Sequence, residues 1–138
     1  MVTEFLLDTN VVSELARPVP NPAVLGHLAA AEGCSAVAAT VWHELVFGVE
    51  RLPPGARRDG LRAFVDEIAA RLPVLPYDRP AASWHARERA RLTAAGFGPA
   101  FADGQVAAVA VTNDLRLVTR NVADFANFAD LAVENWFV

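Results

Sequence analysis

Glu4-Phe5-Leu6-Leu7-Asp8-Thr9-Asn10-Val11-Val12-Ser13-Glu14-Leu15 places three apolar residues between two acids and then changes its period. The run Phe5–Leu7 shows no polar alternation, as expected of a strand covered on both faces, the habit of parallel sheets. Thr9 or Asn10 can cap a helix that continues to Ala16, where Pro18 and Pro20 stop it. A strand feeding directly into a helix is the opening unit of an α/β fold. In such folds ligands sit beyond the carboxyl ends of the strands, so Asp8 stands where chemistry is expected.

The rest of the chain repeats the alternation. Asn21-Pro22 caps and starts a helix running to about Glu32. Cys34–Ala39 reads as a small-residue strand, and Thr40 as the cap of a helix over Val41–Arg51 that Pro53-Pro54-Gly55 ends. Leu61, Phe64, Val65, Ile68 and Leu72 share one side of a helix over 56–72. Pro73–Tyr77 predicts a short strand near an edge, because its prolines cannot donate to a ladder. Arg79–Ala95 is a helix stopped by Gly96 and Gly98. Phe101–Val111 is apolar all round and predicts a buried helix with Asp103 in its first turn. Leu115–Thr119 and Leu131–Glu134 complete the strands. The reading is one α/β domain over residues 1–138, a mainly parallel central sheet flanked by helices.

Composition removes several alternatives. At 54% hydrophobic and 20% charged, the 138-residue chain can build a core, so it is not a disordered polypeptide. No apolar run reaches the roughly 18 to 20 residues of a membrane span. Glu4 within a short apolar patch does not suit a signal peptide, so a cytoplasmic protein is expected. Cys34 is the lone cysteine, which leaves no internal disulfide or metal knuckle. All 12 cationic residues are arginine, which excludes P-loop and Schiff-base chemistry. The same lack of lysine, with Asn10 where a second Asp would be wanted, weakens a phosphatase reading with Asp8 as nucleophile. His43-Glu44 lacks the second histidine of a zincin helix, one turn on. His27 and His85 read as surface or half-buried residues, and Trp84 and Trp136 as packing or interface residues.

Asp8, Glu44, Asp103 and Asp124 lie in segments that leave the same edge of the sheet. Glu44, with Val41 and Phe47 three residues either side, reads as a carboxylate on an apolar helix face. Clustered carboxylates repel, and a hard divalent cation such as Mg²⁺ or Mn²⁺ offsets that repulsion with oxygen ligands and retained waters. Each acid also has a local reading. Asp8 can open an Asx turn, Asp103 can cap its helix, Glu44 can pair with an arginine such as Arg120, and Asp124 can cap a short turn.

These segments, in this order, resemble the PIN-domain family and its VapC and FitB toxins. The resemblance rests on Leu6–Leu15, on Thr40-Val41-Trp42-His43-Glu44-Leu45-Val46-Phe47-Gly48, and on Ala102-Asp103-Gly104-Gln105-Val106-Ala107-Ala108. It extends to Thr119-Arg120-Asn121 with Asp124-Phe125. It implies a metal-dependent endoribonuclease toxin, with Asp8, Glu44 and Asp103 as core acids binding Mg²⁺ or Mn²⁺. The fourth acid is Asp124 or its place is taken near Asn121. Thr9, Asn10, Thr119 and Asn121 would orient carboxylates or water. It also implies an RNA substrate, a VapB-like antitoxin that supplies DNA binding, and a homodimer. The alternative within the family is a non-cleaving FitB-like module in a DNA-bound regulatory complex.

Charge is unevenly spread. Residues 51–91 hold nine arginines against five acids, whereas the remainder holds three against eleven. Arg57, Arg58 and Arg62 flank one helix, and Arg87 and Arg91 share a face of another, near Arg89. They can guide RNA phosphates or contact an antitoxin, or they can solubilise the helices by pairing with Asp59, Asp66 and Glu88.

Overall fold

Phe5–Leu7 forms the central strand β1, pairing in parallel with β2 (Ser35–Ala38) on one side. In the computed structural model, which describes residues 2–138, three further strands complete the sheet. They are β3 (Val74–Leu75), β4 (Arg116–Val118) and β5 (Val133–Glu134), and the spatial order is β3-β2-β1-β4-β5. Every pairing is parallel, with Leu6 opposite Ala36 and Leu117. Prolines on both sides of β3 leave it at an edge, as expected. The domain expected over 1–138 includes Met1, which lies outside the described residues.

Among the described residues, six α-helices connect these strands. They are α1 (Thr9–Glu14), α2 (Pro22–Ala30), α3 (Ala39–Glu50), α4 (Ala56–Arg71), α5 (Arg79–Ala94) and α6 (Phe101–Thr112). None is long and apolar enough to cross a membrane among the described residues. Leu6, Leu7, Val37, Leu117 and Val118 are buried from both faces, each contributing about 1.5–3 kcal/mol of apolar transfer. Val106 to Ala110 on α6 are buried as well, so the helix without an apolar stripe does run through the core. Phe101 at its start is an exception at 52% exposed.

Three expected caps fall elsewhere. Asp8, not Thr9 or Asn10, is the N-cap of α1 and accepts from the Thr9 amide. α3 starts at Ala39 without a side-chain cap, and Thr40 instead donates to Gln105 Oε1 across to α6 at 3.1 Å. Asp103 makes no capping bond. In each case the side chain has a tertiary role available that local sequence does not display. Asn21 and Pro22 do start α2 as read, the Asn21 carboxamide accepting from Ala23 and Val24.

α5 and α6 run antiparallel, with His85 against Gly104 and Arg89 over Phe101. His85 is 3% exposed, which corrects its reading as a surface or half-buried residue. Its Nδ1 shares a 2.8 Å hydrogen bond with the Tyr77 hydroxyl. Burial, then the Arg89 charge, lowers its pKa, so the imidazole is neutral at neutral pH. Trp136 is buried against Phe5, a packing role, while half-buried Trp84 lies by Phe128. The second strand begins at Ser35, leaving Cys34 half-buried and free just before it.

Candidate active site

The chain builds outward from β1 through β2 to β3 and then returns to add β4 and β5 on the other side. The strand order therefore reverses between β1 and β4, and a crevice opens beyond their carboxyl ends. Asp8 leaves β1 there and Thr119 leaves β4. Thr119 is fully buried, and its hydroxyl donates to Asp8 Oδ2 at 2.9 Å. Asn10 Nδ2 lies 3.4 Å from the same oxygen and 3.2 Å from Thr119 Oγ1, while Asn10 Oδ1 accepts from the Arg120 amide. The Thr9 amide reaches Asp8 Oδ1 at 2.9 Å. Three donors thus fix both oxygens of Asp8.

Thr9 turns its hydroxyl the other way and donates to Glu44 Oε2 at 2.8 Å, which joins α1 to α3. Glu44 is exposed, not seated on an apolar face. Val41, Leu45 and Val49 take the core side of α3, and Phe47 on the other side is 59% exposed. The suggested partner Arg120 lies over the Phe137 ring, 4.9 Å from its centroid. Asn121 acts through its main chain, its amide donating to Thr119 Oγ1 at 3.1 Å. Its carboxamide, expected to help at the site, makes no hydrogen bond among the described residues. Asp124 sits exposed in the 3₁₀ turn Val122–Phe125.

Electrostatics unite the four acids. Burial first, and then the charges of Asp8, Asp124 and Glu44, together raise Asp103 to about 6. Asp8 is raised too, chiefly by burial and further by Glu44 and Asp124, against the lowering effect of its Thr119 and Thr9 bonds. Among the described residues no arginine or histidine forms an ion pair with any of the four. The donor set is all hard oxygen and carries uncompensated negative charge, which fits Mg²⁺ or Mn²⁺ in chemistry. No three acidic, histidine or cysteine side chains among the described residues close on one point. Mg²⁺ keeps several waters and needs only one or two direct carboxylates, so an open set of this kind still suits it.

Thr119→Val removes a buried hydroxyl with three partners and leaves Asp8, Asn10 and the Asn121 amide short of one bond each. It is expected to cost about 1–3 kcal/mol, read as a lower urea midpoint at unchanged slope, with Thr119→Ser close to the original. Gln105 has no local role in the Ala102–Ala108 stretch, yet its bond to Thr40 ties the helix bearing Asp103 to the helix bearing Glu44. A polar residue in an otherwise apolar helix was the available signal.

The arginines divide into held and free. Arg91 makes two 2.8 Å bonds to buried Glu88 and a third to the Asn127 carbonyl, fastening α5 to the segment after the 3₁₀ turn. Its donors are largely spent, whereas Arg87 is exposed. Arg58 and Arg62 both pair with Glu50 instead of Asp59 or Asp66.

The PIN domain family matches residues 5–131 of the chain. Toxin FitB of Neisseria gonorrhoeae is 37% identical over 135 residues, covering 94% of this chain and 96% of that protein. VapC ribonuclease Y4jK of Sinorhizobium fredii is 36% identical over 125 residues, covering 87% of this chain and 89% of that protein. The solved structure of FitAB bound to an IR36 DNA fragment superposes with a TM-score of 0.85. It is 33% identical, covering 97% of this chain and 96% of that one. Sheet order, an acid beyond the first strand and these matches agree: the chain belongs to the PIN-domain family, in its branch of FitB- and VapC-type toxins.

Proposed function

We propose that this chain is a divalent-metal-dependent endoribonuclease, the toxin of a VapBC-type pair, acting in the cytoplasm. The observation that carries the reading is the hydrogen-bond network beyond the carboxyl ends of β1 and β4 that fixes Asp8 and Glu44, beside an Asp103 lifted to about 6 by burial and by the neighbouring acids. Membership of a family whose relatives are named ribonucleases supports it.

Asp8, Asp103 and Glu44 would hold Mg²⁺ or Mn²⁺. Bound there, the ion supplies Lewis acidity toward a phosphate oxygen and lowers the pKa of water. The protein's own work is to keep these carboxylates in place. Thr119, Asn10 and the Thr9 amide hold Asp8, and the Thr9 hydroxyl holds Glu44. Asp124, the exposed fourth acid, is near enough for its charge to act on both Asp8 and Asp103. The carboxylate outside the metal shell accepts the proton of the attacking water. Attack by water, not by the ribose 2′-hydroxyl, leaves a 5′-phosphate and a 3′-hydroxyl. Thr119→Val should lower turnover roughly 10-fold through Asp8 alone, the usual scale for a residue supporting a ligand.

Likeness to the FitAB complex supports a VapB-like antitoxin partner, and in this reading the chain reaches DNA only through that partner. A cleft of about 600 Å³ between α1, α2 and α4 offers it an apolar seat, lined by Leu15, Leu28, Phe64, Ile68 and Leu72. A homodimer is part of the same reading.

The test expresses the chain without antitoxin, beside Asp103→Asn, and maps new 5′-phosphate RNA ends. Ends at a recurrent sequence or loop, present with the unmutated protein alone, are expected. Mainly 2′,3′-cyclic phosphate ends overturn the hydrolytic mechanism. Identical maps from two folded proteins favour a non-cleaving FitB-like regulatory module.

A further inference from the structure

Helix α3 has two unlike edges. Val41, Leu45 and Val49 pack into the core, while His43, Phe47 and Arg51 follow one another along the solvent side. Their spacing of four residues stacks them in one row about 12 Å long. Phe47 is 59% exposed, and its ring lies 6.4 Å from His43, only 17° from parallel. The two rings make a flat step in water. Glu44 of the acidic cluster lies between them in sequence.

A second feature adjoins this row. A cleft of about 330 Å³ starts at Thr9 and Glu44, passes Ser13 and Gly48, and reaches Arg51 and Arg57. Arg58 and Arg62 are both taken by Glu50, yet Arg51 and Arg57 make no ion pair among the described residues. Two uncommitted guanidiniums in one cleft suit an anion with several oxygens. They stand beside carboxylates that would repel that anion unless something guided it.

We propose that the solvent edge of α3 is a nucleotide subsite, where an unpaired RNA base stacks on the Phe47–His43 step and a neighbouring phosphate meets Arg51 and Arg57. The proposal rests on the RNA-cleaving reading and names what sets the substrate's conformation. A base reaches a flat ring only when unstacked from its own neighbours, so the subsite selects single strands and loops over duplex. Stacking tolerates any base, which puts sequence preference elsewhere. One exposed phenylalanine is small beside the area a stable interface between copies needs, which favours a base as occupant.

The experiment uses the full chain and a mixed-sequence single-stranded oligoribonucleotide carrying 2-aminopurine. Fluorescence is read in EDTA, and cleavage with Mg²⁺ or Mn²⁺. The wild type is expected to quench the fluorophore. Phe47→Ala should lose the quench and raise KM roughly 10-fold with kcat within about 2-fold, and Phe47→Trp should restore both. Arg51→Gln with Arg57→Gln should weaken binding and flatten its salt dependence by about one phosphate contact. An unchanged KM and quench in Phe47→Ala overturns the subsite while leaving the nuclease intact. A wild type that quenches through Phe47 but cleaves no RNA keeps the subsite and removes the nuclease, and loss of both removes both. If Phe47→Ala instead turns a dimer into a monomer by light scattering, with quench and KM unaltered, the edge is an interface between copies.

Discussion

Asp103→Asn is expected to lower RNA cleavage by about 10²–10³-fold and yet to raise the melting temperature of the metal-free protein above pH 6. The two effects have one cause. Asp103 lies at about 6 in the folded chain against an ordinary 3.8, because burial and then Asp8, Asp124 and Glu44 disfavour its charged form. Between those values the folded protein binds more protons than the unfolded one. Stability therefore falls as pH rises from about 4 to about 6 and then levels, while below about 4 the group contributes nothing. Asparagine removes that loss. Since the carboxyl is partly open to solvent, the gain is discounted to about 1 kcal/mol, or roughly 3–5 °C. Melts in EDTA near pH 5 and 7.5 check it, and excess Mg²⁺ should close the gap by stabilising the parent. A variant that melts below the parent at both pH values would contradict this account of the site.

Gly104→Ala is expected to cost about 3 kcal/mol and roughly 10 °C. A Cβ there would lie 2.1 Å from His85 Nε2 and 2.6 Å from its Cδ2, inside any real contact. The imidazole cannot easily yield, since Tyr77 holds Nδ1 at 2.8 Å and the Phe101 ring lies 4.8 Å away. Helices α5 and α6 must then separate, and the next residue to move is Asp103. His85→Ala alone costs about 1–2 kcal/mol, but combined with Gly104→Ala it should recover much of the loss. Calorimetry on the four proteins measures the coupling. A double variant less stable than Gly104→Ala alone would place the strain outside this contact. Activity per folded molecule should fall in Gly104→Ala, because the displaced turn carries a site carboxylate.

Both predictions turn on α6, whose legibility was uneven. Its apolar sequence announced a buried helix, and Asp103 stood out as an acid within it. Nothing local showed that Gly104 faces a histidine from α5, or that Thr40 would leave its expected cap for Gln105. Glu44 was placed on the correct helix but on the wrong side. Its neighbours Val41 and Phe47 look alike in sequence, yet one is buried and the other exposed. Arg91 had two readings in sequence, a guide for phosphates and a partner of Glu88, and the structure gives it to Glu88 with the Asn127 carbonyl as a further acceptor.

The residues alone determined the alternation of strands and helices, the acid at the end of the first strand and the family. Those rest on periodicity, proline and glycine stops and motif order, which are properties of neighbouring residues. Tertiary structure decided which acids share a field, which hydroxyl holds Asp8 from 111 positions away, and which arginines lack an ion pair among the described residues. Such outcomes depend on which segments the sheet order brings together, and a charge's partners across that crossing leave no trace in its own stretch of chain.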